Sequence, residues 1–247
     1  MKQGVFKILE NKKEAGTVWK MRLSGDTSAI TAPGQFVNIR IEGLYLRRPL
    51  SVCDVEGDEL TLLYKTVGKG TAAMTAMAPG NTLDLLTGLG NGYDLAPAGE
   101  NPLLIGGGVG VPPLYLLCRR LVATGKKVTV ILGFNTRDEV FYEGAFRDLG
   151  VTVFVTTVDG SYGQKGFVTD AMGGLAYSYF YTCGPEPMLK AVYRATTTAG
   201  QFSFEERMGC GFGACMGCSC RTVTGYKRIC RDGPVLKKEE ILWQTRA

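Results

Sequence analysis

The chain contains no histidine among its 247 residues. That absence excludes Ser-His-Asp and Cys-His catalysis and every His-ligated zinc or haem centre. No uninterrupted apolar run approaches the ~20 residues that a membrane span needs, so no membrane association is expected. Met1-Lys2-Gln3-Gly4 leads straight into an alternating strand pattern without an apolar leader region, which implies a cytoplasmic protein. A strong excess of one charge is missing too, because 28 basic against 23 acidic residues leave only +5. The basic residues fall in scattered pairs (Arg47-Arg48, Arg119-Arg120, Lys126-Lys127, Lys237-Lys238) and form no stripe. Nucleic acid is therefore not an expected partner, whereas an anionic cofactor is.

Apolar residues make up 45% of the chain and charged residues 21%, the profile of a globular protein with a sizeable core. In the first hundred residues, short strands are predicted over 16–23, 35–42, 50–55, 59–65 and 82–86, separated by turns at Pro33-Gly34, Glu56-Gly57-Asp58 and Pro79-Gly80. Such regular short strands suggest a small antiparallel barrel. After Pro97 the rhythm changes. Strands over 103–105, 128–132, 151–156 and 180–183 alternate with helices over 113–122, 141–149 and 185–197, which argues for a doubly wound parallel sheet. The pattern divides the chain into a barrel over 1–98, an α/β unit over 99–205 and a cysteine-bearing segment over 206–247. That last segment is too short for a core of its own and is expected to need a metal to fold.

Cysteine is uneven along the chain: Cys53, Cys118 and Cys183 are isolated, while Cys210, Cys215, Cys218, Cys220 and Cys230 crowd together. The spacing Cys210-x4-Cys215-x2-Cys218, with Cys230 more distant, is the plant-type [2Fe–2S] pattern. Thiolates from one tight loop grip one side of such a cluster, and a returning segment closes the other. Gly209, Gly211, Gly213 and Gly217 let this loop turn tightly and bring backbone N–H groups to the sulfurs. A structural zinc knot is the competing reading, and the glycine density with three closely spaced thiols favours iron–sulfur. Cys220 reads as a small buried residue, as do Cys53 and Cys118.

Two further features suit a nucleotide. Gly106-Gly107-Gly108-Val109-Gly110-Val111-Pro112-Pro113 lies between a predicted strand and a predicted helix, where backbone N–H groups can face a pyrophosphate. Its spacing fits neither the Rossmann fingerprint nor a P-loop, so it is either a nucleotide site of another kind or a plain tight turn. Arg137, Asp138 and Glu139 follow the next strand, where ribose recognition often sits; two acids and one arginine leave NAD and NADP both open, with a lean to NAD. Arg47-Arg48-Pro49-Leu50-Ser51 opens a barrel strand, and an arginine there can hold a pyrophosphate, although such a pair is also a common solvated strand end. Gly68-Lys69-Gly70-Thr71 offers a second phosphate-binding turn.

In chain order, Arg48-Pro49-Leu50-Ser51, Gly70-Thr71, the Gly106–Pro113 turn and Cys183-Gly184-Pro185-Glu186-Pro187-Met188 resemble the ferredoxin reductase superfamily, in which a flavin-binding barrel precedes a nicotinamide-nucleotide domain. Glu206 through Cys218, together with Tyr226 through Val235, look like the iron–sulfur subunits of class 1B dihydroorotate dehydrogenases. The resemblance implies that Arg48, Pro49, Leu50, Ser51, Leu63, Tyr64, Lys65, Gly70 and Thr71 hold FAD. It implies that Gly107, Gly108, Val109 and Gly110 line the dinucleotide site, that Cys183 and Gly184 lie near the nicotinamide, and that Cys210, Cys215, Cys218 and Cys230 bind the cluster. Leu50 stands where many superfamily members carry an aromatic that stacks on the flavin, so Tyr64 is expected to cover the ring instead. The implied function is electron transfer from an FMN-containing catalytic partner subunit through [2Fe–2S] and FAD to NAD+, within pyrimidine biosynthesis and in a heterotetramer with two subunits of each type. Flavin subunits of other NAD(P)H-dependent reductases (NADH-dependent ferredoxin:NADP+ reductase, sulfide dehydrogenase, anaerobic sulfite reductase) share the architecture and remain the alternative. A non-enzymatic zinc adaptor is the rival from another class.

Overall fold

The computed structural model describes residues 1–243, so the last four residues of the cysteine-bearing segment expected over 206–247 lie outside it. Six strands close an antiparallel barrel: β1 (Lys2–Ala15), β2 (Val18–Ser24), β3 (Phe36–Arg40), β4 (Arg48–Glu56), β5 (Glu59–Lys65) and, after a short helix α1 (Lys69–Thr75), β6 (Thr82–Leu89). Their order around the barrel is β1-β2-β5-β4-β3-β6. Alternation drives the closure. Phe6 and Ile8 from β1, Met21 and Leu23 from β2, Val37 and Ile39 from β3, and Leu60, Leu62 and Tyr64 from β5 all point inward and share one buried core.

The second unit is a sheet with helices on both faces. Its elements are β7 (Pro102–Gly107), α2 (Pro112–Ala123), β8 (Thr129–Phe134), α3 (Glu143–Asp148), β9 (Thr152–Thr157), β10 (Gln164–Lys165), β11 (Tyr179–Cys183), α4 (Glu186–Ala195) and β12 (Gly200–Ser203). The strand order is β10-β9-β8-β7-β11-β12, all parallel. Leu114, Leu117 and Leu121 of α2 and Phe146 of α3 cover one face, and Leu189 and Val192 of α4 cover the other. The order reverses between β7 and β11, so their carboxyl ends flank the crevice where open α/β sheets take ligands.

The tail packs on both larger units. It forms a small hairpin of β13 (Ser219–Thr222) and β14 (Gly225–Arg228), then adds β15 (Val235–Lys237) to the main sheet, antiparallel to β12. Cys218, Ile229 and Cys230 are buried in the same core as Phe36 and Leu89 of the barrel and Phe202 of the sheet. The segment expected to depend on metal for its folding thus borrows apolar surface from both larger units.

Three local differences from the sequence reading have physical causes. The helix expected over 141–149 begins only at Glu143, because Tyr142 sits in the left-handed region at φ 63° and Phe141 is drawn into the core beside Phe134. The first strand extends over all of Lys2–Ala15, beyond the opening alternation, since its second half pairs with β2. The tail strands are short and polar and carry no alternating signal.

Helix α2 also joins the two units. Cys118 on its inner side and Cys53 on β4 are both fully buried in one cluster, as expected of core cysteines. Arg119 reaches the Asp54 carboxylate at 2.9 Å and donates to the Val55 carbonyl, and Arg120 donates to the Thr31 carbonyl at 2.7 Å. Burial holds the Asp54 carboxyl above its ordinary value even with Arg119 beside it. Replacing Arg119 with Met should therefore lower stability in urea unfolding by about 1–2 kcal/mol at neutral pH. Because the folded-state value of Asp54 would rise further, the loss should shrink below about pH 4, where that carboxyl is protonated in both states.

Candidate functional site

The glycine-rich turn and the Cys-Gly-Pro segment meet at the β7/β11 crevice. Gly106 pairs in register with Cys183 across the two strands. A Cβ on Gly110 would lie 2.3 Å from the Cys183 carbonyl oxygen, and one on Gly107 or Gly184 would run into Met188. Gly110 thus brings its backbone directly against that of Cys183 and Gly184, and the Gly107 nitrogen lies 3.2 Å from where a Cβ on Gly184 would stand. Gly108 takes φ +51° with open space around its Cα, and Val109 is partly exposed beside it, so this side of the turn faces solvent. A groove runs from here to the barrel, lined by Thr17, Lys65, Gly108, Val109 and Glu139. A separate cavity of about 280 Å³ lies at the amino ends of β8 and β9 beside Lys126 and Lys127, at the opposite end of the strands from this crevice.

On the barrel, Arg48 lies against Gly70, where a Cβ would sit 2.2 Å from the arginine Nε. The two phosphate-suited elements read from the sequence are thus neighbours. The Thr71 hydroxyl is already engaged: it accepts from the Val67 and Gly68 N–H groups at 2.9 and 3.2 Å. Tyr64 corrects an expectation. Its ring lies inside the barrel, 1% exposed, and its hydroxyl donates to Asn11 Oδ1 at 2.9 Å, so it cannot cover a flavin ring. Leu63 points the other way into the core shared with α2, and Leu50 packs partly on the barrel core. Lys65 alone of residues 63–65 reaches the groove with its side chain, 3.9 Å from Glu139. Beyond β8, Arg137 stacks over the Tyr162 ring at 5.9 Å, and Glu139 accepts from Asn135 Nδ2 at 2.8 Å.

The four thiols form two pairs. The Cys210 Sγ accepts from the Ala214 and Cys215 N–H groups at 3.2 and 3.4 Å, and the Cys215 Sγ accepts from the Cys210 N–H at 3.4 Å. The Cys230 N–H in turn donates to the Cys218 Sγ at 3.4 Å. Positive φ at Gly211 and Gly213 turns these amides inward. Partial burial opposes charge on Cys210, but the N–H groups of Phe212, Cys215 and Ala214 prevail and bring its thiol down to about 6. Burial pushes the Cys230 thiol up to about 12. Among the described residues no three of His, Cys, Asp or Glu converge on a single-ion position. The two thiol pairs suit a two-iron cluster, which takes two thiolates at each iron. Cys218 and Cys230 are buried toward the barrel, and Cys210 and Cys215 lie outward.

Sequence reasoning missed what holds this loop. Asn38 of β3 donates to the Cys210 carbonyl at 3.2 Å. Arg228 donates to the Gly213 carbonyl at 2.8 Å while paired with Asp232. Asn91 donates to the carbonyls of Gly233 and Val235, both at 2.7 Å, and accepts from the Val235 N–H at 3.1 Å. The spacing of Arg228 and Asp232 was the one local signal; the asparagines lie far away in sequence.

A closed antiparallel barrel, a parallel sheet with a glycine turn at its switch point and a terminal four-thiol loop together define a reductase of the ferredoxin-reductase type. A family model described as an oxidoreductase NAD-binding domain matches residues 104–194, and one described as the iron–sulfur cluster binding domain of dihydroorotate dehydrogenase B matches residues 205–242. The chain is 45% identical to the dihydroorotate dehydrogenase B (NAD(+)) electron transfer subunit of Geobacillus sp. (strain WCH70), over 98% of this chain and 99% of the relative. It is 44% identical to the same subunit of Fusobacterium nucleatum, over 95% and 96%. The chain belongs to this family of electron transfer subunits. Among solved structures, that of an NADH-dependent reduced ferredoxin-NADP oxidoreductase superposes with a TM-score of 0.88 at 32% identity, covering 96% of this chain and 90% of the other. An Amycolatopsis cytochrome P450 reductase shares the fold at a TM-score of 0.69 and 24% identity, over 78% of this chain and 65% of its own.

The contact between the turn and the Cys-Gly-Pro segment gives a sharp contrast between glycines. Gly110→Ala should cost about 1–3 kcal/mol in chemical unfolding, because backbone lies on the other side. Gly144→Ala, on α3 with nothing near its Cβ position, should be neutral or stabilise by up to about 1 kcal/mol.

Proposed function

We propose that this chain carries electrons from a dihydroorotate-oxidising partner subunit to NAD+, in the synthesis of pyrimidines. The observation that carries the proposal is a shared barrel face. Phe36 and Asn38 of β3 point outward, and paired opposite them on β4 are Ser51 and Pro49 of the flavin motif. Phe36 packs in the core that holds Cys218 and Cys230. Neighbouring strands lie about 5 Å apart, so the flavin motif and the cluster segment occupy adjacent rows of one surface.

A bound flavin handles both single electrons and hydride while a [2Fe–2S] cluster handles one electron at a time, so the pair can join a one-electron donor to a nicotinamide. The chain's residues supply position. The Arg48 guanidinium beside the bare backbone of Gly70 suits the FAD pyrophosphate, with Ser51 and Lys65 along the same motif strands and Thr71 fixing the turn. Pro49 and Leu50 set the course of β4, and the backbone of Leu63 and Tyr64 continues the cradle. Gly107 through Gly110, with Cys183 and Gly184, form the NAD crevice. Cys210, Cys215, Cys218 and Cys230 hold the cluster as thiolates, which the low value at Cys210 favours and which a metal would impose on Cys230. Residues 1–98, 99–205 and 206–247 serve as the FAD, NAD and cluster units.

The partner is an FMN-containing catalytic subunit, in a cytoplasmic heterotetramer with two subunits of each type. The outward thiol pair, with Phe212 and Met216 exposed beside it, supports docking at the cluster loop. Among the described residues no helix is long and apolar enough to cross a membrane. The overlay at 32% identity favours a second reading, a subunit of an NADH-dependent ferredoxin:NADP+ reductase, but the 45% relatives and the matched cluster segment favour the first.

The test is the visible spectrum of the anaerobic, cofactor-loaded chain, before and after NADH. Flavin and cluster bands that both bleach are expected, and a colourless zinc protein would overturn the reading. Cys220→Ala should retain the iron, whereas alanine at Cys210, Cys215, Cys218 or Cys230 should lose it. Reoxidation by orotate only when the FMN subunit is present would separate the first reading from the second.

A further inference from the structure

We infer that Asn38 is a positioning residue, whose side-chain amide fixes the cluster loop to the strand beside the flavin motif and so sets the electron path between the two cofactors. The inference rests on the electron-transfer reading above.

Asn38 is 1% exposed in the middle of a barrel strand, between Val37 and Ile39, both of which point into the barrel core. Its own side chain points outward, on the face where the tail packs. There Nδ2 donates to the carbonyl of Cys210, the first cluster thiol, at 3.2 Å. The next residue is built around this bond: Gly211 has φ +77°, and a Cβ on it would lie 2.3 Å from Asn38 Nδ2. The Oδ1 of Asn38 is buried and has no hydrogen-bond partner among the described residues. An unpaired buried acceptor is costly, and an apolar side chain would fill this face of the strand without it. The amide is therefore explained by the donor it offers to the loop.

Its neighbours give the bond its leverage. Asn38 pairs across the sheet with Pro49, between Arg48 and Ser51 of the flavin motif. On the other side it pairs with Leu86, which packs against the core that contains Cys218 and Cys230. Arg47 donates to the Asn38 carbonyl at 3.3 Å and pairs with Asp84 at 2.9 Å, which braces the strand from the flavin side. One residue thus contacts the cluster loop with its side chain and the flavin strand with its backbone. Asn91 holds the far end of the tail independently, so removing the Asn38 amide should loosen the loop without releasing the segment.

The test compares Asn38→Leu with wild type in the full chain loaded with FAD and cluster; Asn38→Ala replaces it if the leucine variant does not fold. Three readouts are expected to move together. Hydrogen exchange of the amides over 209–217 should accelerate. The g-values of the reduced cluster in electron paramagnetic resonance should shift. In stopped-flow mixing with NADH, cluster bleaching should slow relative to the preceding flavin bleaching by about tenfold or more. Wild-type exchange and wild-type g-values in the variant would overturn the inference. A wild-type chain that never reduces its cluster with NADH would instead overturn the electron-transfer reading, and the exchange comparison would still decide the role of Asn38 in holding the loop.

Discussion

The four-thiol segment lies on surface that belongs to other parts of the chain, and this constraint orders the rest of the molecule. About forty residues cannot enclose a core. Ile229, Cys218 and Cys230 are nonetheless fully buried, because Phe36 and Leu89 of the barrel and Phe202 of the sheet meet them there. Phe36 of β3 and Leu86 and Leu89 of β6 supply apolar surface to the tail for this reason. Along β3, Phe36 through Ile39 are all buried, inward by the barrel and outward by the tail.

A second consequence is that the barrel and the sheet cannot drift independently. Helix α2 packs Leu114, Leu117 and Cys118 against Cys53 and Leu63 from the outside of the barrel, and the tail bridges the same two units on the opposite side of the crevice strands. The groove between Lys65 and the glycine turn is thus bounded by elements tied together twice. Oriented cofactors need such a frame, since position is the protein's contribution to chemistry that the cofactors perform.

Much of this was legible in the chain. The change from period-two strands to strand–helix alternation near Pro97 marks the passage from barrel to sheet, and the cysteine spacing marks the loop. Boundaries failed where tertiary contact overrode local pattern, as at Tyr142, held at positive φ by its packing against Phe141 and Tyr115. Tyr64 was misread because one residue of register separates the inside of a barrel strand from its outside, and composition does not fix that register. Asn38 and Asn91 were invisible because an asparagine's partner, here a carbonyl more than a hundred residues away, leaves no trace in local spacing.

The strand β15 adds one more consequence. It pairs with β12 through Gln201, Phe202 and Ser203 and so closes one margin of the sheet with the chain's own last segment. Without it β12 would present a row of unpaired N–H and C=O groups beside Phe202, the kind of open edge at which chains associate with one another. The segment that carries the redox thiols is therefore also the guard of that edge. Damage that detaches the tail would bring self-association as well as loss of electron transfer, so the solubility of the chain is tied to the integrity of its metal-binding end.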